Sequence, residues 1–257
     1  MNIWAVVVAA GRGVRASLGH PKQFYLYREQ FLLSYPVQTL LASPIQGLMI
    51  TCEPGMSALA ATPALRHWQE LVAKHQQRLH TCSGGLTRAE SVVAGLKALK
   101  LHYGTHQAKH ALVLVHDGVR ACLHPSDLAA LLSRTQAITS QQLDGAMLVE
   151  PATDSLKRID LQNHQIVATL DRQTIVRAQT PQLFRFEQLL DCLTQSLALG
   201  QDPTDESAVM IEQGLHVEAV VAQHPNPKLT FKADLPYISH CLESHGNTAQ
   251  HSDRAGV

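Results

Sequence analysis

The sequence is short of charge, of aromatic rings and of long apolar runs. Asp, Glu, Lys and Arg make up 16% of its 257 residues and aromatic residues 5%. The charged share is below the roughly 25% usual for soluble domains. The apolar share of 45% is nevertheless ample for a core. That excludes intrinsic disorder, which needs low hydrophobicity with high charge. Basic and acidic residues balance at 21 each, so nothing draws the chain toward nucleic acid or an anionic membrane. The longest apolar run, Ile3 to Ala10, falls far short of the roughly 18 residues of a membrane span. It also lacks the basic leader and cleavage pattern of a signal peptide, and the expectation is a soluble, cytoplasmic protein. Cysteines are few: Cys52, Cys82, Cys122, Cys192 and Cys241 are scattered, odd in number and form no CxxC. They read as free thiols rather than a disulfide framework or a zinc site. The 15 histidines mostly stand singly in polar stretches, and no HExxH spacing occurs.

What is present is an alternation. Apolar, β-branched runs at Ile3–Ala10, Leu48–Cys52, Ala111–His116, Ala146–Val149 and His216–Val221 suit strands buried on both faces of a parallel sheet. Between them, helical periodicity predicts helices over Phe31–Leu41, Arg88–Leu101, Pro125–Gln136 and Phe186–Leu199. Thr87 with Glu90 three residues later is a capping-box signature for the second. Asp202-Pro203 reads as an N-cap opening a fifth helix to Gln213. Strands alternating with helices predict an α/β fold with a mostly parallel sheet. A single domain over residues 1–243 is expected. The polar stretch 151–169 breaks the alternation and reads as a hairpin or arm leaving the sheet. The tail 244–257 has no periodicity and reads as disordered.

Three places carry chemistry. The first strand runs into Ala9-Ala10-Gly11-Arg12-Gly13-Val14-Arg15, then Pro21-Lys22-Gln23. Glycines after a strand let backbone N–H groups approach an anion, and Arg15 and Lys22 add charge-assisted contacts. The pattern is not Walker A. It allows the dinucleotide fingerprint only with Ala16 in place of the third glycine, and no acidic residue ends a second strand about 20 residues on. The loop alone leaves a phosphate site and a plain strand–helix turn both open. Gly84-Gly85 precedes the capped helix, with Arg88 and Ser91 on its first turn. This is either a base or anion site or an ordinary helix start. The strand ALVLV ends in His116-Asp117-Gly118-Val119-Arg120. In open α/β sheets ligands bind beyond the carboxyl ends of strands, where an Asp is a natural Mg²⁺ ligand and Arg120 can hold an anion; the alternative is that Asp117 caps the next turn and Arg120 is solvated.

In order, the chain carries AAGRGVR at 9–15, PKQ at 21–23, GGLTRAESV at 84–92, HDGVR at 116–120, DSLKR at 154–158, TLDR at 169–172, RAQTPQLF at 177–184, TDE at 204–206 and NPKLT at 226–230. Together these resemble the 2-C-methyl-D-erythritol 4-phosphate cytidylyltransferase family over about Trp4 to Ile238. The resemblance implies a Rossmann-like nucleotidyltransferase fold with a protruding β-arm. It implies that CTP and methylerythritol 4-phosphate give a CDP-linked methylerythritol and pyrophosphate. Ala9, Ala10, Gly11, Gly13, Arg15 and Lys22 would bind the CTP phosphates, with Arg15 and Lys22 catalytic. Gly85, Arg88 and Ser91 would surround cytosine and ribose, and Asp117 would bind Mg²⁺. Arg120, Thr180 and Lys228 would hold the methylerythritol phosphate. Ser155 and Arg172 would reach it from the exchanged arm of a partner in a homodimer.

The chain departs from that pattern in several places. Val8 stands where proline is usual, Leu86 where an acidic residue is common, Gly118-Val119 for a pair of alanines, Ala121 for proline and Ser155 for threonine. The charged set is intact. If position 86 binds through its backbone amide, leucine serves. The rival readings are a ribitol-5-phosphate cytidylyltransferase, a non-catalytic CTP-binding homologue and a dinucleotide-dependent oxidoreductase.

Overall fold

The structure is a computed structural model that describes residues 2–11, 20–53 and 63–252. In chain order it contains β1 (Ile3–Ala9), β2 (Leu26–Tyr27), β3 (Gln30–Phe31), α1 (Ser34–Ala42), β4 (Gly47–Cys52), α2 (Pro63–Lys74), β5 (Leu79–Ser83), α3 (Arg88–Tyr103), α4 (Thr105–Lys109) and β6 (Leu112–Asp117). It continues with α5 (Pro125–Leu132), α6 (Thr135–Thr139), β7 (Gly145–Pro151), β8 (Leu156–Ile159), β9 (Ile166–Leu170), β10 (Val176–Arg185), α7 (Phe186–Ala198), α8 (Glu206–Glu212), β11 (Val217–Val221) and α9 (Leu235–Ser252).

Seven strands form one sheet in the order β11-β7-β10-β6-β1-β4-β5. The pairs β1–β4, β1–β6, β4–β5 and β7–β11 are parallel. The sheet is therefore mostly parallel, as the alternating pattern predicts, with one exception. β10 runs antiparallel between β6 and β7. It follows β9 and the arm rather than a crossover helix, so no handedness rule forces it to run parallel.

Period-2 alternation distributes β1 between two cores. Ile3, Ala5, Val7 and Ala9 face one side with Val37 and Leu40 of α1, Trp68 of α2 and Leu128 of α5. Trp4 and Val6 face the other with Val92, Leu96 and Leu99 of α3 and Phe186 and Leu189 of α7. Both faces are covered by helices, which explains the near-continuous apolar strands. Trp4 stacks on Tyr103 at 5.1 Å and meets Phe186 edge-on at 5.1 Å. Each such ring pair contributes about 0.5–1.5 kcal/mol beyond area burial. A third cluster joins Leu32, Val119, Cys122 and Leu229 to Leu235, Ile238 and Cys241 of α9. It packs α9 beside the strand-end segment 119–122.

Several expectations need correction. The helix expected over 125–136 breaks into α5 and α6 at Ser133, whose hydroxyl turns back on the Ala130 carbonyl at 2.7 Å and competes with the helical ladder. The helix expected from Asp202-Pro203 opens later. Asp205 is its N-cap and accepts from the Ala208 N–H. Strand β5, helix α2 and strand β10 were not expected, although Leu65, Trp68, Leu71 and Val72 of α2 stand at helical spacing; β10 is hidden by the polar residues Arg177, Gln179, Thr180 and Gln182 along it. The chain from Ser244, expected as a disordered tail, stays helical to Ser252. Buried Leu235, Ile238 and Cys241 nucleate α9, and propagation from an existing turn is cheap when no proline intervenes. The stretch 151–169 does leave the sheet: β8 and β9 pair as a separate antiparallel hairpin. All five cysteines are free thiols.

Candidate active site

Parallel strands β1 and β6 end side by side, with Val8 opposite Asp117, so the segments after them open onto the same edge of the sheet. Ala9, Ala10 and Gly11 follow β1. Gly85 to Arg88 and Ser91 enter α3, and Lys22 comes from the segment after the loop. Together with Gln23, Asp117, Val119 and Lys228 they line a cleft of about 240 Å³. A narrower cavity of about 120 Å³ between Arg88, Asp117, Arg120, Thr180 and Lys228 adjoins it. An outer cavity of about 400 Å³ follows, lined by Arg120, Glu150, Arg177, Gln179 and Lys228 among others. Lys228 borders all three.

Asp117 is the hub. It is 6% exposed and accepts from Arg88 Nε at 2.9 Å and Lys228 Nζ at 2.8 Å, with Arg120 Nε at 3.8 Å. Burial alone would raise its carboxyl, but Arg88 and then Lys228 hold it far below the usual carboxylate range. Arg88 also grips Glu206 bidentately through Nη1 and Nη2 at 2.6 and 3.0 Å. Glu206 has no exposed surface; burial pushes its carboxyl up and Arg88 pulls it back. Burial would lower the Arg88 guanidinium, but Glu206 and Asp117 outweigh it and fix the charge. Arg120 caps the carbonyls of Asn226 and Ala178 at 2.7 and 3.3 Å. Lys22 Nζ donates to the Leu229 carbonyl at 2.8 Å, joining the two ends of the chain across the cleft.

Behind Asp117 lies a buried relay. The Asp117 N–H donates to Thr180 Oγ1 at 3.0 Å. Thr180 Oγ1 lies 3.1 Å from His116 Nδ1, and His116 Nε2 lies 3.1 Å from the Arg120 carbonyl. The Arg120 carbonyl can only accept, so Nε2 carries the hydrogen and Nδ1 accepts from the threonine hydroxyl. His116 has no exposed surface, and its burial lowers its pKa to about 4. It is a neutral strut between Asp117 and Arg120, which both line the inner cavity. A β-bulge between Ala178 and Gln182 on β10 aims Thr180 at this relay.

The entry to α3 has the capping box that the sequence signals. Thr87 accepts from the Glu90 N–H at 3.2 Å, and Glu90 Oε2 accepts from the Thr87 N–H at 3.0 Å. Glu90 Oε2 also accepts from the Leu86 N–H at 2.6 Å. The backbone amide at position 86 is therefore already engaged, which corrects the idea that leucine serves through it. The Leu86 side chain stands fully exposed at the cleft mouth, at 99%. Ser91 Oγ accepts from the Gly85 N–H at 3.1 Å and donates to the Thr87 carbonyl at 2.8 Å, so Ser91 shapes the loop that lines the cleft. Gly118 lies where an added methyl would stand 3.1 Å from the Val8 carbonyl and 2.8 Å from Leu33 Cδ1.

Of the residues named from sequence, Ala9, Ala10, Gly11, Lys22, Gly85, Arg88, Ser91, Asp117 and Lys228 converge on the cleft. Arg120 and Thr180 join them at its inner end. Arg88, expected at cytosine and ribose, lines the cleft and pairs its guanidinium with the two carboxylates. Gly13 and Arg15 lie outside the described residues. Ser155 and Arg172 sit at the base of the hairpin, where Arg172 Nη1 donates to the Thr153 carbonyl at 2.6 Å. They do not line these three cavities. Glu206 was missed as a site residue, although TDE at 204–206 places a carboxylate on the first turn of a helix capped by Asp205.

Comparison with known proteins agrees with this geometry. The profile of 2-C-methyl-D-erythritol 4-phosphate cytidylyltransferase matches residues 3–244. A protein of that name from Enterobacter sp. (strain 638) is 37% identical over 235 residues, covering 91% of each chain. One from Escherichia coli O127:H6 is 38% identical over 236 residues, again 91% of each. Among solved structures, a 4-diphosphocytidyl-2C-methyl-D-erythritol synthase superposes with a TM-score of 0.72 at 26% identity, over 94% of this chain and 98% of that one. The Francisella tularensis 2-C-methyl-D-erythritol 4-phosphate cytidylyltransferase shares the fold, with a TM-score of 0.72 at 24% identity over 94% of this chain and 100% of that one. The convergence of the loop, the α3 entry, Asp117 and Lys228 on one cleft thus has its counterpart in sequence: the chain belongs to the 2-C-methyl-D-erythritol 4-phosphate cytidylyltransferase family.

Proposed function

We propose that this protein transfers CMP from CTP to 2-C-methyl-D-erythritol 4-phosphate, releasing pyrophosphate and forming 4-diphosphocytidyl-2-C-methyl-D-erythritol for isoprenoid precursor synthesis. The observation that carries the reading is Lys228. Its ammonium lies on Asp117 where the nucleotide-sized cleft meets the outer cavity, flanked by Arg120 and Lys22. That is where two anions must meet for one phosphate to attack the other.

In the reaction an oxygen of the substrate phosphate attacks the α-phosphorus of CTP. A new P–O bond forms, the bond to the bridging β-phosphate oxygen breaks, and pyrophosphate leaves in line. A phosphate dianion is already a nucleophile at neutral pH, so no general base is needed. The barrier is largely the repulsion of two anions, and catalysis is positioning plus charge stabilisation. Ala9, Ala10 and Gly11, together with Gly13 and Arg15, cradle the triphosphate. Lys22 and Arg15 take up charge developing at the α-phosphate. Gly85 and Ser91 form the wall for the cytosine and ribose, while Arg120 and Lys228 hold the incoming phosphate. Ion pairing to Glu206 and Asp117 keeps Arg88 fixed, so the hub does not have to reorganise during turnover.

The donor set fits a divalent cation in the manner of Mg²⁺, which takes one or two carboxylates and fills its shell with substrate phosphates and water. Asp117 lines the cleft and retains unused lone pairs on both oxygens. Among the described residues no group of three or more His, Cys, Asp or Glu could hold a metal without substrate. When bound, Mg²⁺ would neutralise charge on the phosphates.

The hairpin suits a homodimer built by exchanging arms. It presents Ile166 and Val167 to solvent, 68% and 54% exposed; in such a dimer Ser155 and Arg172 at its base would face a neighbouring subunit's substrate. No described helix is long and apolar enough to cross a membrane. The cytoplasm is the proposed compartment.

The deciding experiment follows pyrophosphate release from CTP and Mg²⁺ with methylerythritol 4-phosphate and, in parallel, ribitol 5-phosphate. Release with the first alone, abolished by a chelator, supports the reading. Release with the second alone overturns the substrate. CTP binding without release with either overturns the activity in favour of a nucleotide-binding homologue.

A further inference from the structure

The outer cavity has one feature that phosphate binding does not explain. Its wall is cationic, with Arg120, Arg177 and Lys228, except for a single carboxylate, Glu150. Glu150 ends β7 just before the hairpin. It accepts from Arg177 Nη2 at 2.5 Å through Oε1 and from Gln179 Nε2 at 3.1 Å through Oε2. Its side chain stays 38% exposed, and its charge is felt by both Arg120 and Tyr237. A carboxylate offers about four acceptor positions, and two are used. Arg177 and the buried Gln179 amide hold the group in a fixed orientation, facing a cavity that shares Lys228 with the cleft and the inner cavity.

The chemistry of the transfer orders what enters. The attacking phosphate must lie at the junction of the cavities, beside Lys228 and Arg120. The rest of the acceptor then extends away from the nucleotide into the outer cavity, toward Glu150. A carboxylate there accepts hydrogen bonds from hydroxyl groups and repels a second phosphate or a carboxylate.

We propose that Glu150 is a specificity-determining residue: it receives the hydroxyl end of the acceptor substrate and restricts that substrate to a polyol with one phosphate and a neutral far end. This rests on the cytidylyltransferase reading.

The test uses the full chain, CTP and Mg²⁺, and reads pyrophosphate release. Wild-type turnover of methylerythritol 4-phosphate comes first; its absence overturns the reading above, independently of Glu150. With wild-type turnover in hand, Glu150→Gln is expected to raise the KM for the acceptor about 10-fold or more, the scale of one charge-assisted hydrogen bond. The KM for CTP should stay within about 2-fold. The 1-deoxy analogue, lacking the hydroxyl farthest from the phosphate, should be penalised in wild type and not further in Glu150→Gln. An unchanged acceptor KM in Glu150→Gln, or an equal deoxy penalty in both proteins, overturns the proposal.

Discussion

Arg88 bridges two carboxylates that lie 89 residues apart in the chain: Asp117 at the end of β6 and Glu206 on the first turn of α8. One guanidinium thereby fixes the hub of the site to a helix on the far side of β10. Glu206 is fully buried, so its removal leaves the Nη edge of Arg88 desolvated without a partner. Glu206→Ala is expected to destabilise the fold by about 3 kcal/mol, near the lower end for breaking a buried pair because Asp117 remains. Urea denaturation checks this; a change below about 1 kcal/mol contradicts it.

Lys22 lines the cleft and donates to the Leu229 carbonyl. Lys22→Ala should lower kcat by about 10²-fold or more, the scale of losing one charge contact made in the transition state. Its melting temperature should stay close to wild type. Near-normal turnover contradicts the assigned role.

His116 gives a pH dependence of defined sign. Its folded pKa of about 4 lies below the ordinary 6.5, so the unfolded chain binds the extra proton first. Stability is therefore full above about 6.5 and is lost as pH falls from there toward 4. Asp117 cannot produce this loss, because its carboxyl titrates well below that window. The fall in melting temperature between pH 7 and pH 5 should be smaller in His116→Asn than in wild type, even though the variant starts from a lower value.

Gly95 tests packing against propensity. Alanine at a mid-helix glycine normally gains about 1 kcal/mol. Here the added methyl would stand 2.7 Å from Val6 Cγ1 and 2.9 Å from Thr51 Cγ2, on a sheet with no room to yield. Overpacking costs about 1–3 kcal/mol, so Gly95→Ala is expected to be net destabilising. Thermal unfolding decides the sign.

The arm is tested by charge. Ile166→Asp places a carboxylate on the exposed apolar strand of the hairpin. It should shift the protein toward monomer in sedimentation velocity and reduce turnover, while leaving the melting profile of the central sheet unchanged. An unaltered sedimentation coefficient at equal concentration contradicts dimerisation through this surface.

The strands legible in the sequence are those buried on both faces, because burial leaves a run of Val, Ile and Leu. β10 was not legible: its first three residues are exposed and its buried part still carries the polar Gln179, Thr180 and Gln182, and its direction depends on which neighbours accept it. The capping box at Thr87 and Glu90 was legible because both partners lie within one turn. Asp205 lost to Asp202-Pro203 in the sequence reading because a proline at the first turn is the louder local signal, whereas burial of Glu206 and Ser207 fixed the true start. The cleft-lining residues Ala9 to Gly11 and Asp117 were legible through the motifs AAGRGVR and HDGVR. The commitment of Arg88 to Glu206 was not, because an ion pair across 118 residues leaves no local trace. The Glu90 carboxylate also takes the amide of Leu86, only four residues away, as an extension of that capping box.

The placement of β10 between β6 and β7 also bears on how the molecule is made. The middle of the sheet is filled by a strand that leaves the ribosome after both of its neighbours, and Lys22 meets its partner carbonyl only across 207 residues. Contacts of such sequence separation are slow to close. A nascent chain that has not yet emerged past Arg185 therefore holds a divided sheet with the facing β6 and β7 edges unpaired, and until Lys228 and Leu229 follow it has no complete cleft. Competence to bind substrate arrives only with those residues, making ligand affinity a direct reporter of finished folding.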